Sequence, residues 1–275
     1  MSSDSTRGAG RDPREVAREA VGRIRALEVA SPGVAIVLGS GLSRFADGLS
    51  DVVEVPYSNL PGFPRPAVSG HGGTLRIGLL GGVRIVTFSG RVHYYEGRAF
   101  DEVTMNVRLA AELGARTLVL TNAAGGLDSG FQVGDLMLIT DHICLLGGRA
   151  AFEGRGDRGH PIYAPRLRRL AAEVALERGI PLRSGVYLGS LGPTYETPAE
   201  IHMARRIGAH AAGMSTVSEA SFGASRGLEV LGLSLITNLA TPQSHAETTH
   251  GEVLAAGRLG AERLLSLVEG VLERL

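Results

Sequence analysis

Several short segments of this chain carry side chains whose types and spacing could do chemistry. Gly90-Arg91-Val92-His93-Tyr94-Tyr95-Glu96-Gly97 packs a guanidinium, an imidazole, two phenols and a carboxylate into one stretch. Arginine and histidine together present a fork of donors suited to a tetrahedral oxyanion such as phosphate. Gly39-Ser40-Gly41-Leu42-Ser43 sets a hydroxyl between two glycines, where backbone N–H groups can add donors to an anion. Gly213-Met214-Ser215-Thr216-Val217-Ser218-Glu219 offers a flexible thioether and a hydroxyl at a predicted helix start, a position that favours negative charge. Gly192-Pro193-Thr194-Tyr195-Glu196-Thr197-Pro198 bounds one aromatic ring and one carboxylate with prolines, and Ile236-Thr237-Asn238 ends an apolar run with an amide. Thr121–Leu127 places Asn122 beside Ala123 and Ala124, small residues that let a backbone approach a ligand closely. His71, within Gly-His-Gly-Gly, and His250, at the start of the last helical pattern, are weaker candidates, and His142 reads as a buried, hydrogen-bonded histidine.

Two matches to well-known motifs fail on context. Gly223-Ala224-Ser225-Arg226-Gly227 fits the nucleophile elbow, but that turn needs a strand before the serine and a helix after it. Here the order is reversed, so the segment reads as a helix end with Gly227 as its cap. Gly39-Ser40-Gly41 lacks the third glycine of a dinucleotide loop, because position 44 is arginine.

Composition removes other chemistries. The Lys+Arg count of 28 contains no lysine, which excludes Schiff bases and the lysine-dependent phosphate loop. Those 28 cations balance 28 carboxylates, so neither a nucleic-acid groove nor a polybasic membrane patch is expected. Cys144 is the single cysteine, ruling out an internal disulfide and multi-cysteine metal sites, and the scattered histidines predict no metal centre. No apolar run reaches ~18 residues and the first residues lack a leader's apolar core, so a cytoplasmic protein without a membrane span is expected.

The elements that must position these groups follow from periodicity. At 275 residues the chain fits one domain, here 12–275 behind a flexible tail at 1–11. Strands are predicted near 34–38, 75–80, 83–88, 117–120, 135–140, 185–189, 209–213 and 229–236, and helices near 13–27, 100–113, 165–178, 198–207, 217–226 and 247–272. Their alternation predicts a single α/β domain around a central mixed, largely parallel β-sheet flanked by helices. A Gly- and charge-rich stretch at 147–161 reads as a long, mobile loop. Almost every chemically interesting segment begins where a strand ends, which is where α/β sheets place their ligands. Six such loops can converge on one pocket.

Taken together, Gly39–Leu42, Gly90–Gly97, Thr121–Gly126, Gly192–Thr197, Gly213–Glu219, Ser234–Asn238 and His250–Gly257 closely resemble the trimeric family of purine nucleoside phosphorylases, which also includes methylthioadenosine phosphorylases. The resemblance spans about residues 34–264. It implies a cytoplasmic homotrimer that uses no metal or organic cofactor. Its reaction would be purine salvage by phosphorolysis, in which inorganic phosphate splits a nucleoside into free base and (deoxy)ribose 1-phosphate. Carried over by residue, it implies phosphate binding by Ser40, Arg91, His93, the backbone of Ala123 and Ser215, with His71 at the phosphate entrance. Tyr95, Met214 and His250 would meet the ribose, Tyr195 would stack on the base where the family commonly has phenylalanine, and Glu196 and Asn238 would hold the purine edge. Catalysis would then fall to Glu196, Asn238 and His93. The chain departs from the family between His142 and Tyr163, where an Asn-Pro-Leu-x-Gly stretch and a ring lent to the neighbouring subunit's sugar pocket are common; His160 or Tyr163 could take that role, or neither.

Chemistry points to the substrate. A carboxylate accepts the N1–H of hypoxanthine or guanine but faces a bare acceptor in adenine, and an amide can serve O6 and N7 together. Inosine, guanosine and their deoxy forms are therefore expected over adenosine. A methylthioadenosine or adenosine phosphorylase of the same fold, a non-catalytic nucleoside-binding module and a hydrolytic nucleosidase remain as alternatives.

Overall fold

Val34–Leu38 (β1) is apolar throughout and buried throughout, the signature of a strand covered on both faces. Its residues divide by period two between the faces: Ala35 and Val37 join one core, and Val34, Ile36 and Leu38 join the other. The structure, a computed structural model, describes residues 11–39, 42–66, 73–147, 161–240 and 250–275, without the side chains of 43, 44, 250–259 and 261. Ser40, His71, His160 and most of the predicted 1–11 tail and 147–161 loop thus lie outside the described residues, as does the side chain of His250.

β1 lies between β4 (Val83–Ser89) and β5 (Thr117–Gly126), parallel to both. Beyond β4 the sheet continues antiparallel through β3 (Thr74–Leu80) to an edge strand, β2 (Ser50–Pro56). Beyond β5 come β8 (Ala211–Gly213), β7 (Leu182–Gly189), β6 (Leu136–Cys144) and β9 (Glu229–Leu239). β9 also pairs in parallel with β5, so the second half of the sheet closes into a five-stranded ring. Pairings of both senses occur, and the parallel ones hold the centre, as the apolar runs predict.

Helices cover both faces. α1 (Pro13–Arg25), α2 (Phe100–Val103), α3 (Met105–Leu113) and α6 (Val217–Ser225) lie on one side, with Val16, Ala20, Val107 and Val217 in a shared core. α4 (Pro165–Glu177) and α7 (His250–Leu272) lie on the other through Leu167, Val174, Leu267 and Val271. α5 (Pro198–Arg206) covers the ring with Ile201 and Ala204. No helix among the described residues is long and apolar enough to cross a membrane.

The differences from the sequence reading have local causes. The predicted helix at 100–113 breaks at Thr104, whose hydroxyl donates to the Phe100 carbonyl at 2.8 Å and bends the backbone. β2 escaped notice because a bulge between Ser50 and Val53 and a left-handed Asp51 (φ 49°) destroy its alternation. The segments Thr121–Gly126 and Thr237–Leu239, read as loops, extend β5 and β9, since each supplies the other's ladder through Gly125–Asn238 and Gly126–Leu239. Tyr163 is buried, with its hydroxyl bonded to His142 Nδ1 at 3.0 Å. It cannot reach a neighbouring subunit, which removes it as the lent ring.

Gly39, the residue after β1, is pressed against β5. A Cβ there would stand 2.7 Å from the Asn122 Cα and 2.9 Å from the Thr121 carbonyl oxygen, both backbone atoms that cannot step aside. Gly39→Ala is expected to cost about 1–3 kcal/mol. Chemical denaturation measures this directly, and an unchanged midpoint would refute the close approach.

Candidate active site

The strand ends β4, β5, β7, β8 and β9 converge on a cavity of about 350 Å³, a volume suited to a small ligand. Its first group of walls is cationic and hydroxylic. Arg91, two residues past β4, is buried and lies between two acceptors: its Nε meets the Glu219 carboxylate at 2.9 Å, and its Nη1 donates to the Thr121 carbonyl at 3.1 Å. Nη1 also reaches Ser215 Oγ at 3.2 Å. Glu219 is wholly buried and accepts from Asn106 Nδ2 at 2.6 Å and from the Thr216 N–H at 3.2 Å. Thr216 pays for this with a left-handed backbone (φ 75°), a strain tolerated where it fixes the entry to α6 and presents Ser215.

His93 stands beside this pair. The Glu96 carboxylate accepts from the His93 backbone N–H at 2.7 Å and lies 3.2 Å from the ring Nδ1, so the imidazole has one set orientation. Its ring stacks on Tyr95 with centroids 4.7 Å apart and planes 12° from parallel. Burial pushes the Tyr95 phenol up to about 12, so it remains a neutral donor at working pH. Asn122, on β5, donates through Nδ2 to Thr216 Oγ1 at 2.8 Å. Its buried Oδ1 has no protein partner among the described residues.

The second group of walls suits a heterocycle. Tyr195 is 53 % exposed, so one side of its ring is available for stacking. Glu196 is half-buried, and Ser190 Oγ donates to its Oε1 at 2.9 Å. On β9 the ladder with β5 slips between Ala124 and Gly125, and Thr237 is the extra residue. That bulge lets two consecutive side chains, Thr237 and Asn238, face the same cavity, where a regular strand would turn one away. Thr237 Oγ1 then donates to Asn238 Oδ1 at 3.2 Å, leaving the amide N–H₂ for another acceptor. Gly192 has φ 72° and sits where a Cβ would meet Met214 Sδ at 2.5 Å and Tyr95 Cδ1 at 3.0 Å. Only glycine closes this corner.

Of the residues singled out in the sequence, Arg91, His93, Tyr95, Ala123, Tyr195, Glu196, Met214, Ser215 and Asn238 line this one cavity. The backbone of His250 begins α7. Gly223–Gly227 is the end of α6, with Ser225 Oγ bonded to the Phe222 carbonyl at 2.7 Å, so it is no nucleophile elbow. Among the described residues no group of three or more His, Cys, Asp and Glu could hold a metal ion. The reading of motifs gave no role to Glu219, Asn106, Thr216 and Ser190, and Asn122, which it placed where a backbone approaches a ligand, lines the cavity as well. For Glu219 a signal existed, since Thr216-x-x-Glu219 is a capping box. That its carboxylate also holds Arg91 depends on packing 128 positions apart and leaves no local trace.

Residues 33–273 match the model of the phosphorylase superfamily. Purine nucleoside phosphorylase 1 of Geobacillus stearothermophilus is 42 % identical over 252 residues, covering 89 % of this chain and 92 % of that protein. Two crystal structures of Schistosoma mansoni purine nucleoside phosphorylase, in complex with inosine and with adenosine, each superpose with a TM-score of 0.85 at 36 % identity. Both cover 95 % of this chain, and 96 % and 97 % of their own.

Proposed function

The chain belongs to the phosphorylase superfamily and is a purine nucleoside phosphorylase, and from that premise we propose that it cleaves 6-oxopurine (deoxy)ribonucleosides, inosine and guanosine foremost, with inorganic phosphate as co-substrate. One observation carries this reading: a single cavity of about 350 Å³ is walled both by Arg91, His93 and Ser215 and by Glu196 and Asn238. The first set has the donors for an oxyanion, and the second has the acceptor and amide for a purine edge.

Breaking the C1′–N9 bond puts positive charge on the sugar and negative charge on the departing base. Phosphate held by Arg91, His93, Ser215 and the Ala123 N–H, with Ser40 and His71 added, stabilises the sugar cation and then bonds to C1′. Glu196 and Asn238 hold the base as it takes up electrons, and donors already aimed at that charge lower the barrier. Tyr95, Met214 and His250 line the ribose, and Tyr195 stacks on the purine. No side chain need act as nucleophile, and no metal or organic cofactor enters the reaction. The preference for a 6-oxopurine follows from Glu196, an acceptor-only group opposite N1, which meets hydrogen in inosine and a lone pair in adenosine.

The protein is further read as a cytoplasmic homotrimer with one domain over 12–275. In support, Leu145 and Leu191, both about half exposed, flank Gly189 beside the half-exposed Tyr195, an apolar rim suited to a second copy. His160 is the remaining candidate to cross that boundary.

Withdrawing phosphate provides the test. Release of hypoxanthine from inosine is expected to stop in phosphate-free buffer and to return with added phosphate, ribose 1-phosphate forming in equal amount. Undiminished release without phosphate would make the protein a hydrolase, and faster release of adenine from adenosine would overturn the base preference.

A further inference from the structure

Glu196 lies in a stretch whose neighbours Tyr195 and Thr197 are exposed, so its side chain would be free to swing unless something held it. Ser190 is placed to do this. It directly follows β7, and its backbone N–H donates to the Gly213 carbonyl at 2.8 Å, fixing the residue against the end of β8. Its hydroxyl has one proton and two acceptors in reach, Glu196 Oε1 at 2.9 Å and the Gly213 carbonyl at 3.4 Å. The nearer and charged acceptor takes it. We infer that Ser190 is a positioning residue that sets base specificity: it occupies Oε1 of Glu196 and turns Oε2 towards the purine edge as a fixed acceptor.

The inference rests on the proposed meeting of Glu196 with N1–H, and it adds a cause for the precision of that contact. A carboxylate already held spends no rotamer freedom when the nucleoside arrives, so its affinity is delivered to the base alone. A nucleoside without N1–H gains nothing from the arrangement, so the serine acts on one class of substrate and not on the other. Among the described residues, the serine hydroxyl bonds to Glu196 and the Gly213 carbonyl, not to Arg91, His93 or Ser215 of the phosphate wall nor to Tyr95 or Met214 of the ribose wall.

The experiment is a double-mutant cycle read with two nucleosides. Inosine cleavage, and adenosine followed by turnover or by its inhibition of inosine cleavage, are measured for the parent, Ser190→Ala, Ser190→Thr, Glu196→Ala and the double alanine variant, with thermal denaturation of each. Ser190→Ala is expected to lower kcat/KM for inosine on the order of tenfold, mostly through KM, and to leave adenosine unchanged. Ser190→Thr, which keeps the hydroxyl, should restore inosine cleavage, and Ser190→Ala should add no loss in the Glu196→Ala background. Equal losses for both nucleosides, additive losses in the double variant, or failure of threonine to rescue would each overturn the role of Ser190. If Glu196→Ala collapses the inosine preference while Ser190→Ala does not, the serine alone is refuted. An unchanged preference in Glu196→Ala would bring down the base reading itself, and this inference with it.

Discussion

Replacing Glu196 with alanine is expected to lower kcat/KM for inosine by about 10²–10⁴-fold while leaving the fold intact. The size of the loss follows from what the carboxylate meets. It accepts one proton of a bound 6-oxopurine, and its removal leaves that N1–H facing a cavity wall with no acceptor. An unmet polar group costs far more than a hydrogen bond gains. The loss should fall on inosine and guanosine and spare adenosine, because adenosine brings no proton to this position. Stability should barely change, since Glu196 is half-buried on a loop and its one described hydrogen bond is to Ser190. Steady-state kinetics with both nucleosides, beside a denaturation curve, check both halves. Unaltered inosine kinetics in a folded variant would remove Glu196 from base recognition.

Arg91→Ala is expected to have the largest combined effect, raising the KM for phosphate steeply and destabilising the fold at once. Deleting the guanidinium removes a donor from the oxyanion wall and strands the Glu219 carboxylate, which is 0 % exposed. An uncompensated buried charge of this kind costs about 3–5 kcal/mol. The two consequences can be separated. Asn106 Nδ2 and the Thr216 N–H still reach position 219, so adding Glu219→Gln removes the charge and leaves these donors an amide oxygen. The double variant should therefore recover much of the lost stability and none of the lost phosphate use. If stability and phosphate KM return together, the arginine acts through the fold alone. If neither single nor double variant changes the phosphate requirement, Arg91 is no phosphate ligand.

The legible part of this molecule was the part written in neighbouring residues. Val34–Leu38 declared itself as an inner strand by unbroken apolarity, and the helix near 13–27 begins at Pro13, a residue suited to the first helical turn, while the cap that Asp12 Oδ1 forms with the Arg14 N–H at 2.9 Å went unread. The dense segments at 90–97, 192–197 and 213–219 stood out because each crowds charged, aromatic or hydroxyl groups directly after a glycine. What could not be read was how they are held. Arg91 and Glu219 are partners across 128 positions, and Asn106 joins them from a third element. The bulge at Thr237 depends on how β9 registers with β5, which no property of Ile236-Thr237-Asn238 announces. Tyr163 failed as an exposed ring because the aromatic sits against Gly232, a vacancy in the sheet visible only once both are in place. Types and spacing thus revealed which groups line the cavity, and packing decided what keeps each in position.

The ring formed by β5, β8, β7, β6 and β9 bears on how such an enzyme can change its diet. Just before Ile236–Asn238, residues Leu233–Leu235 are hydrogen-bonded on one flank to β6 and on the other to β5. A strand clamped along both borders has no slack, so the backbone that carries Asn238 leaves this clamp at a fixed place, and what adjusts to a different guest is the rotation of its side-chain amide. On the proposed base reading, a descendant that turned to 6-aminopurines would change side chains at the rim and keep the course of the strand beneath them.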